Sequence, residues 1–216
     1  MSGNCTNFAA AMRKLAVFFM MLLGSLSAAA QETPNAKQAR RIFDTAYERV
    51  FGAEGSKMSY DLTIASLYKT KGTLWMKGKK KRFSDERVDS WNNGKTVYIA
   101  NRKKHMVEIH DADSEKKDKY SSKFKFSLDD FDYSIANDPQ GLLITLKQKK
   151  KAKGTIKEVK ALVAQRTYAP IRLRIKVAFI WTTIKISDFH SGNVSDQMFE
   201  FPQEKYASGW KYVDKR

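Results

Sequence analysis

From Gly55 almost to the C-terminus, apolar and polar residues alternate in short runs that are separated by turn residues. An alternation with period two puts every second side chain on one face of a strand, which is typical of an antiparallel sheet with one buried face. We predict about nine or ten such strands. Because strand twist accumulates, a sheet of that many strands must curl or close.

The individual strands follow from the alternating runs and the turns between them. They are predicted at residues 60–64, 72–76, 83–91, 96–100, 105–109, 142–146, 156–164, 171–179 and 181–189. Turns are predicted at residues 78–81, at 91–95, where Asn and Gly tolerate positive φ, and at 191–193, with a lysine-rich hairpin tip at 147–154. The spacing of Leu128 and Phe131 predicts a short second helix within residues 124–133.

The segment before Gly55 has the helical period instead. Its apolar residues recur at spacings of three and four and form one stripe: Ala39, Ile42, Phe43, Ala46, Tyr47, Val50 and Phe51. Thr33 suits the N-cap, Pro34 the first helical position, and Gly52 a left-handed C-terminal stop. We expect this amphipathic helix to lie on an apolar surface of the sheet.

These elements together predict an α+β, mainly β fold, with a large and strongly curved antiparallel sheet. The N-terminal helix is expected to lie against its concave apolar face. The residues expected to line that face are Leu62, Ile64, Leu74, Met76, Phe83, Val97, Ile99, Val107, Ile109, Ile171, Leu173, Ile175, Val177 and Phe179. A hollow lined in this way would suit apolar cargo.

Residues 1–30 have the pattern of a cleaved secretory signal peptide. Arg13 and Lys14 precede an apolar stretch over residues 15–26, and three alanines follow at 28–30. We therefore predict a single exported domain over residues 31–216. The only cysteine, Cys5, lies in the leader, so the exported chain should form no disulfide. No later stretch is long and apolar enough to span a membrane, so we expect no stable membrane insertion.

The chain is strongly basic, with 40 Lys and Arg against 23 Asp and Glu. Clustered cations of this kind bind nucleic acid in many cytoplasmic proteins, but export argues against a nucleic-acid partner. Outside the cytoplasm, anionic membrane surfaces attract basic proteins. The alternative is that these charges only solvate the outer faces of strands and turns.

The residues provide little material for catalysis. His105 and His110 fall on opposite phases of one strand, and neither a phosphate-binding glycine loop nor a nucleophile elbow occurs. We expect no catalytic residues, no metal site, no cofactor and no enzymatic activity. A hydrolase stays open as an alternative, as does a sensor module that binds a protein partner.

Several short motifs, in order, resemble one family. They are the helix ending at Val50-Phe51, then Gly72-Thr73-Leu74-Trp75-Met76-Lys77-Gly78, Asn93-Gly94-Lys95-Thr96-Val97-Tyr98, Met198-Phe199-Glu200-Phe201-Pro202-Gln203 and the terminal Val213-Asp214-Lys215-Arg216. With a signal peptide before them, they are similar to the periplasmic carriers of outer-membrane lipoproteins, the LolA-like family. The resemblance extends over nearly the whole exported chain.

The resemblance implies an incomplete (open) antiparallel β-barrel whose concave apolar face is covered by the N-terminal amphipathic helix and a short lid helix. It also implies a monomeric periplasmic carrier that shields lipoprotein acyl chains between the inner and outer membranes. It further implies an inner-membrane lipoprotein-releasing transporter as donor and an outer-membrane acceptor as partners. Ile42, Phe43, Ala46 and Tyr47 would then be a plug as well as core. Gly78 stands where better-known carriers have an arginine that holds the lid, so no lid clamp carries over. The same fold without lipoprotein transport, as a lipid- or glycolipid-binding or envelope-stress sensing module, is the alternative.

Overall fold

The computed structural model describes residues 32–113 and 127–216, and residues Pro34–Arg216 form one compact unit. This part of the chain contains one α-helix, α1 (Pro34–Phe51), and twelve strands. The strands are β1 (Ser56–Ile64), β2 (Tyr68–Lys77), β3 (Lys80–Asp85), β4 (Val88–Asn92), β5 (Thr96–Asn101), β6 (Met106–Asp111), β7 (Phe131–Asp138), β8 (Gly141–Gln148), β9 (Ile156–Val163), β10 (Pro170–Val177), β11 (Ile180–Ser191) and β12 (Lys211–Asp214). Short 3₁₀ turns occur at Leu128–Asp130, Asp196–Phe199 and Gln203–Tyr206.

All twelve strands belong to one sheet with the order β12-β6-β5-β4-β3-β2-β1-β11-β10-β9-β8-β7. Neighbouring strands are antiparallel, apart from the parallel pair of β12 and β6. The sheet is not closed, since β12 and β7 stand at its two ends. The fold is therefore an open half-barrel: the alternating pattern predicts the curved sheet, and the resemblance implies that the sheet stays open.

Helix α1 packs on one side of the sheet, which we call the helix side. Ala39, Ile42, Phe43 and Ala46 form a buried cluster with apolar residues of β7, β8, β9 and β10. The helix also contacts β1, five strand positions from β7, and the next strand, β2. At ~4.8 Å per strand that span is about 24 Å, and an 18-residue helix is about 27 Å long, so α1 reaches across this half of the sheet.

The other side of the sheet, the outer side, has a second core at its opposite half. Trp91, Ala100 and Val107 of β4, β5 and β6 are buried there beneath Tyr206. Phe201 stacks on Tyr98 with ring centroids 4.4 Å apart. The residues that follow Asn193 therefore fold back over the outer side before β12 joins the edge.

The two ends of the sheet are covered in different ways. At the β7 end, the side chain of Asn35 accepts a hydrogen bond from the Ile135 amide (3.0 Å) and donates one to the Ile135 carbonyl (2.9 Å). At the other end, the four-residue β12 pairs with β6 and ends in charged residues. Both ends thus have features that discourage pairing with another chain.

Several predictions about the elements need correction. The predicted strand 83–91 is two strands, because the chain turns at Glu86 and Arg87 between β3 and β4. Strands β7 and β12 were not predicted, and Phe131 opens β7 instead of belonging to a helix. Of the second helix, the described residues show one 3₁₀ turn at Leu128–Asp130; residues 124–126 lie outside the described part.

The helix ends where predicted, but not by the predicted mechanism. Positive φ occurs at Gly55 (+78°), whereas Gly52 is not among the residues with positive φ. Gly52 instead donates its amide to the Glu48 carbonyl at 2.7 Å. Among the described residues, no helix is both long and apolar enough to cross a bilayer.

Candidate functional site

The strand register arranges apolar side chains on the helix side in rows that cross the strands. One row runs through Ile135, Ile144, Ala161, Leu173, Ile184 and Leu62, from β7 to β1. A second row passes through Tyr133, Leu146, Val159, Ile175, Thr182 and Ile64. Because residues paired directly across a sheet point to the same face, each row is a band of apolar surface.

Ten of the fourteen residues predicted to line the concave face lie on the helix side. These are Leu62, Ile64, Leu74, Met76, Phe83, Val97, Ile99, Leu173, Ile175 and Val177. Leu74, Phe83 and Ile99 share a third row with Met58 and Ser90. The structure therefore brings together predicted lining residues from five strands, β1, β2, β3, β5 and β10.

Three of the other four residues are elsewhere, so their predicted placement was wrong. Val107 pairs with Ala100, and Ile109 with Tyr98, which puts both on the outer side; Val107 belongs to the second core. Phe179 lies in the β10–β11 turn and is 84% exposed. The fourth, Ile171, lies at a register shift between β10 and β9 and has no directly opposed partner in that pairing, so its placement stays a prediction.

Under α1 the helix side is densely packed. Ile42 is 2% exposed, and Ile144 and Leu146 beneath it are fully buried. Phe43 is also buried, with its ring 6.0 Å from that of Tyr133 in an edge-on arrangement. Tyr47 differs from the other predicted plug residues, because it is 41% exposed and stacks obliquely on Phe51 at 4.4 Å.

Beyond the helix cluster, the same side of the sheet continues as a surface that is only half-buried. We call this the half-buried face; it consists of Tyr60, Leu62, Ile64, Leu74, Phe83, Ile99, Ile184 and Ile186. It extends from β11 to β5. Apolar surface of this extent that is left partly accessible is typical of a binding site for an apolar partner.

Two polar features border the half-buried face. Burial raises the pKa of Tyr60 to about 12, and the carboxylate of Asp85 adds to the effect. Further along, the face ends at Glu108 on β6. Its carboxylate accepts a hydrogen bond from Lys215 at 2.7 Å, and this bond lowers the pKa of Glu108. The chemistry of the face is thus apolar in the middle, with charge confined to its margin.

The C-terminal end of α1 is held by three donors from different parts of the sheet. Ser191 donates to the Arg49 carbonyl (2.9 Å), and Ser56 donates to the Val50 carbonyl (2.7 Å). The amide of Gly78, with φ of +54°, donates to the Phe51 carbonyl at 3.0 Å. These bonds satisfy carbonyls that a helix end leaves without intrahelical partners.

Gly78 therefore contacts the helix through its backbone at the place where the resemblance implies an arginine side chain. No side chain is required for this contact. The helix is tied at its other end by Asn35, so it is secured at both ends.

Sequence reasoning missed the contribution of β11 to the site. Ile184 and Ile186 lie on the half-buried face, directly across from Leu62 and Tyr60. The signal was present as the alternation of residues 180–186, in which Ile180, Thr182, Ile184 and Ile186 share a phase. Tyr60 was predicted only as a strand residue and was not included in the apolar lining. Its ring combines an apolar body with a polar tip.

The sheet also has an open depression of about 580 Å³. Its walls include Asp61, Lys71 and Lys185, which are neighbours on β1, β2 and β11. These three charged residues are on the outer side, but Tyr60 and Ile186 of the half-buried face also line the depression, so it is not separate from that face.

Comparison with known proteins places the chain by its fold. A solved structure of an uncharacterised conserved protein from Thermus thermophilus aligns with 82% of this chain and 99% of its own, with a TM-score of 0.56 at 10% identity. The likeness is one of fold. No family model and no curated protein matches the sequence.

Two further solved structures matched are named for lipoprotein-related proteins. The LolA superfamily protein of Nitrosomonas europaea has a TM-score of 0.38 at 10% identity, over 76% of this chain and 97% of its own. The lipoprotein LppX of Mycobacterium tuberculosis has a TM-score of 0.45 at 9% identity, over 74% of this chain and 98% of its own.

Proposed function

We propose that this protein is a carrier that shields acyl chains in its half-barrel and moves lipoproteins from the inner to the outer membrane. The observation that supports this proposal is the half-buried face, on which eight large apolar or aromatic side chains from five strands form one surface beside the helix. The comparisons add support for a carrier fold that binds lipid.

The energetics of the half-buried face suit a carrier. Each methylene that an acyl chain buries contributes about 0.8 kcal/mol, so several methylenes suffice for useful affinity. Because the face covers the acyl chain on one side only, part of each methylene stays exposed. This limits the total free energy of binding. Release to a bilayer, where burial is complete, is then favourable.

The helix is the second element of the proposal. In this view α1 yields its place when cargo arrives, so that Ile42, Phe43 and Ala46 exchange contacts with acyl chains. Displacement would break the bonds that Ser56 and Ser191 make with the last turn of the helix. The bond from the Gly78 amide to the Phe51 carbonyl would break as well, and each of the three bonds contributes about 1 kcal/mol to the cost at that end.

Cellular context follows from the first thirty residues. We propose that they are removed on export and that the protein works in the periplasm of a bacterium with two membranes. An inner-membrane lipoprotein-releasing transporter would load it and an outer-membrane acceptor would unload it. We further propose that it acts as a monomer and has no enzymatic activity.

Native mass spectrometry of protein purified from the envelope fraction of its host tests the proposal. Wild-type protein should retain lipoprotein or lipid with acyl chains. Leu62→Glu should abolish that cargo, because a carboxylate on the half-buried face is costly to desolvate beside an acyl chain. The matched control is Thr63→Glu, one residue along β1 on the outer side and across from Lys69.

The control variant should keep its cargo. Circular dichroism checks that both variants fold. Wild-type protein without acyl cargo, or equal retention by the two variants, contradicts the proposal. Capture of a protein partner in the absence of any lipid would instead favour a sensor module.

A further inference from the structure

Two neighbouring hairpin tips present large apolar side chains to solvent. Leu67, in the β1–β2 turn, is 90% exposed, and Phe179, in the β10–β11 turn, is 84% exposed. Tyr68 and Ile180, which follow them, are about two-fifths exposed (41% and 39%). These four residues are distinct from the half-buried face, because they lie in or next to turns and not in the interior of the sheet.

The backbone explains why these side chains are uncovered. Ala65 and Ser66 have φ of 49° and 62°, and the Leu67 amide donates to the Ile64 carbonyl at 3.0 Å, so the turn has only two central residues. Ala178 also has positive φ, at 52°. Such short turns have no additional residues that could fold over an apolar side chain at the tip.

The two tips lie side by side at one end of the sheet. Strands β1 and β11 are paired, and the Ala65 amide donates to the Trp181 carbonyl at 3.1 Å. On the other flank, the Ala178 amide donates to the Thr155 carbonyl at 3.3 Å, which joins the lysine-rich β8–β9 tip to the same end. The apolar tips are therefore next to a cluster of cations.

Two more turns extend this end of the sheet. The guanidinium of Arg87, in the β3–β4 turn, lies 5.1 Å from the Tyr68 ring. The Arg102 amide, at the start of the β5–β6 turn, donates to the Arg87 carbonyl at 2.9 Å. We call the five turns at residues 65–67, 86–87, 102–105, 149–155 and 178–179 the basic rim.

Charge distinguishes the basic rim from the other end of the sheet. Its five turns contain eight Lys and Arg, of which Arg102 forms an ion pair with Asp89 of β4 at 2.6 Å, and a single acidic residue, Glu86. The hairpin turns at the opposite end, residues 78–79, 93–95, 139–140 and 164–169, contain three Lys and Arg. The basic rim is therefore the end that is attracted to an anionic surface, and it is also the end with exposed Leu67 and Phe179.

We infer that the basic rim docks the protein on the surface of an anionic lipid bilayer. The cations bind lipid phosphates, while Leu67 and Phe179 enter the boundary between headgroups and acyl chains. A bilayer matches both features at once, because it offers dispersed negative charge above an apolar layer. The inference is independent of what the half-buried face binds, so the two proposals can fail separately.

Vesicle sedimentation with the envelope-purified protein tests this inference. Vesicles of equal parts phosphatidylglycerol and phosphatidylcholine should bind the wild type, and vesicles of phosphatidylcholine alone should bind it far more weakly. The double variant Leu67→Ser, Phe179→Ser should bind on the order of a hundredfold more weakly, about tenfold per apolar side chain. Both positions are exposed, so the fold should be unaffected.

Lysine variants with a matched control isolate the electrostatic contribution to vesicle binding. Changing Lys150, Lys151 and Lys153 to Gln should weaken binding by about fivefold per charge, and the loss should shrink at high salt. The control changes Lys79, Lys95 and Arg166, at the opposite end, to Gln, with the same loss of charge. Control binding should fall by less than threefold, about the effect of reduced net charge alone.

Three results would overturn the inference. They are no binding to anionic vesicles, equal losses in the rim and control variants, and full binding by the double serine variant. Retention of an acidic protein by the rim in place of vesicles would also overturn it. Weakened vesicle binding with unchanged acyl cargo would support docking while leaving the carrier proposal intact.

Discussion

The variant Ile42→Ala tests whether helix α1 is a removable plug. Ile42 is 2% exposed and packs in a cluster with Ile144 and Leu146, which are fully buried. Shortening a buried isoleucine to alanine costs about 2–5 kcal/mol, and we take about 3 kcal/mol as the central value. In a domain of this size the melting temperature should fall by roughly 6–12 °C.

The same substitution makes opposite predictions about cargo, depending on what the helix does. If α1 must be displaced from the sheet before acyl chains bind, weakening its packing lowers the free-energy cost of loading by the same amount. Because 1.4 kcal/mol corresponds to a tenfold change, 3 kcal/mol would tighten acyl binding by about a hundredfold. We expect this tightening, since the proposal gives Ile42 a role as plug.

The assay combines calorimetric unfolding with titration of a fluorescent fatty acid at a temperature where the variant is folded. The control is Ile186→Ala, on the half-buried face, which should weaken binding and have a smaller effect on stability. A loss of stability in Ile42→Ala with unchanged affinity would refute the reasoning. The helix would then be a fixed part of the core, and cargo would lie on the half-buried face alone.

Three further predictions concern the sheet and its pH dependence. Gly72→Val should destabilise the fold severely in urea unfolding, because even a Cβ there would be 2.2 Å from the Ser84 carbonyl oxygen. Burial raises the pKa of Tyr60 and of Tyr206 to about 12, so between pH 10 and 12 the unfolded chain has lost protons that the folded chain keeps. The free energy of unfolding should therefore fall between pH 10 and 12. Ionisation of the two phenols, followed by absorbance at 295 nm, should occur at higher pH than in the unfolded protein. Asp89→Asn should lower the free energy of unfolding in urea by about 2 kcal/mol, since that carboxylate accepts hydrogen bonds from the Tyr206 hydroxyl and the Arg102 guanidinium. An unchanged midpoint of urea unfolding would exclude a structural role for Asp89.

Local patterns in the sequence were sufficient for the elements with strong periodicity. The stripe through Ala39, Ile42 and Ala46 predicts α1, and the alternation at residues 171–177 predicts β10, because these signals come from neighbours in the chain. A strongly curved sheet followed from the number of strands and their twist, whereas the open half-barrel followed from the resemblance. The predicted hairpin of β8 and β9 is confirmed for the same reason.

Which face each strand presents was harder to predict, because alternation fixes the phase within a strand and not the phase between strands. Val107 and Ile109 alternate cleanly, but the register across the β5–β6 turn sends them to the outer side. The second core could not be predicted either. It requires the chain after Asn193 to fold back on β4–β6, and contacts such as that of Tyr206 with Trp91 leave no periodic signal.

The covering of the two ends of the sheet affects how the protein behaves at high concentration. A protein that exposes an apolar face and a long open sheet is at risk of joining its copies strand to strand into filaments. Here the bidentate contact of Asn35 occupies Ile135 on the terminal strand, and β12 is short and charged. Edge protection of this kind would let many copies share a crowded compartment without polymerising, even while each one is empty.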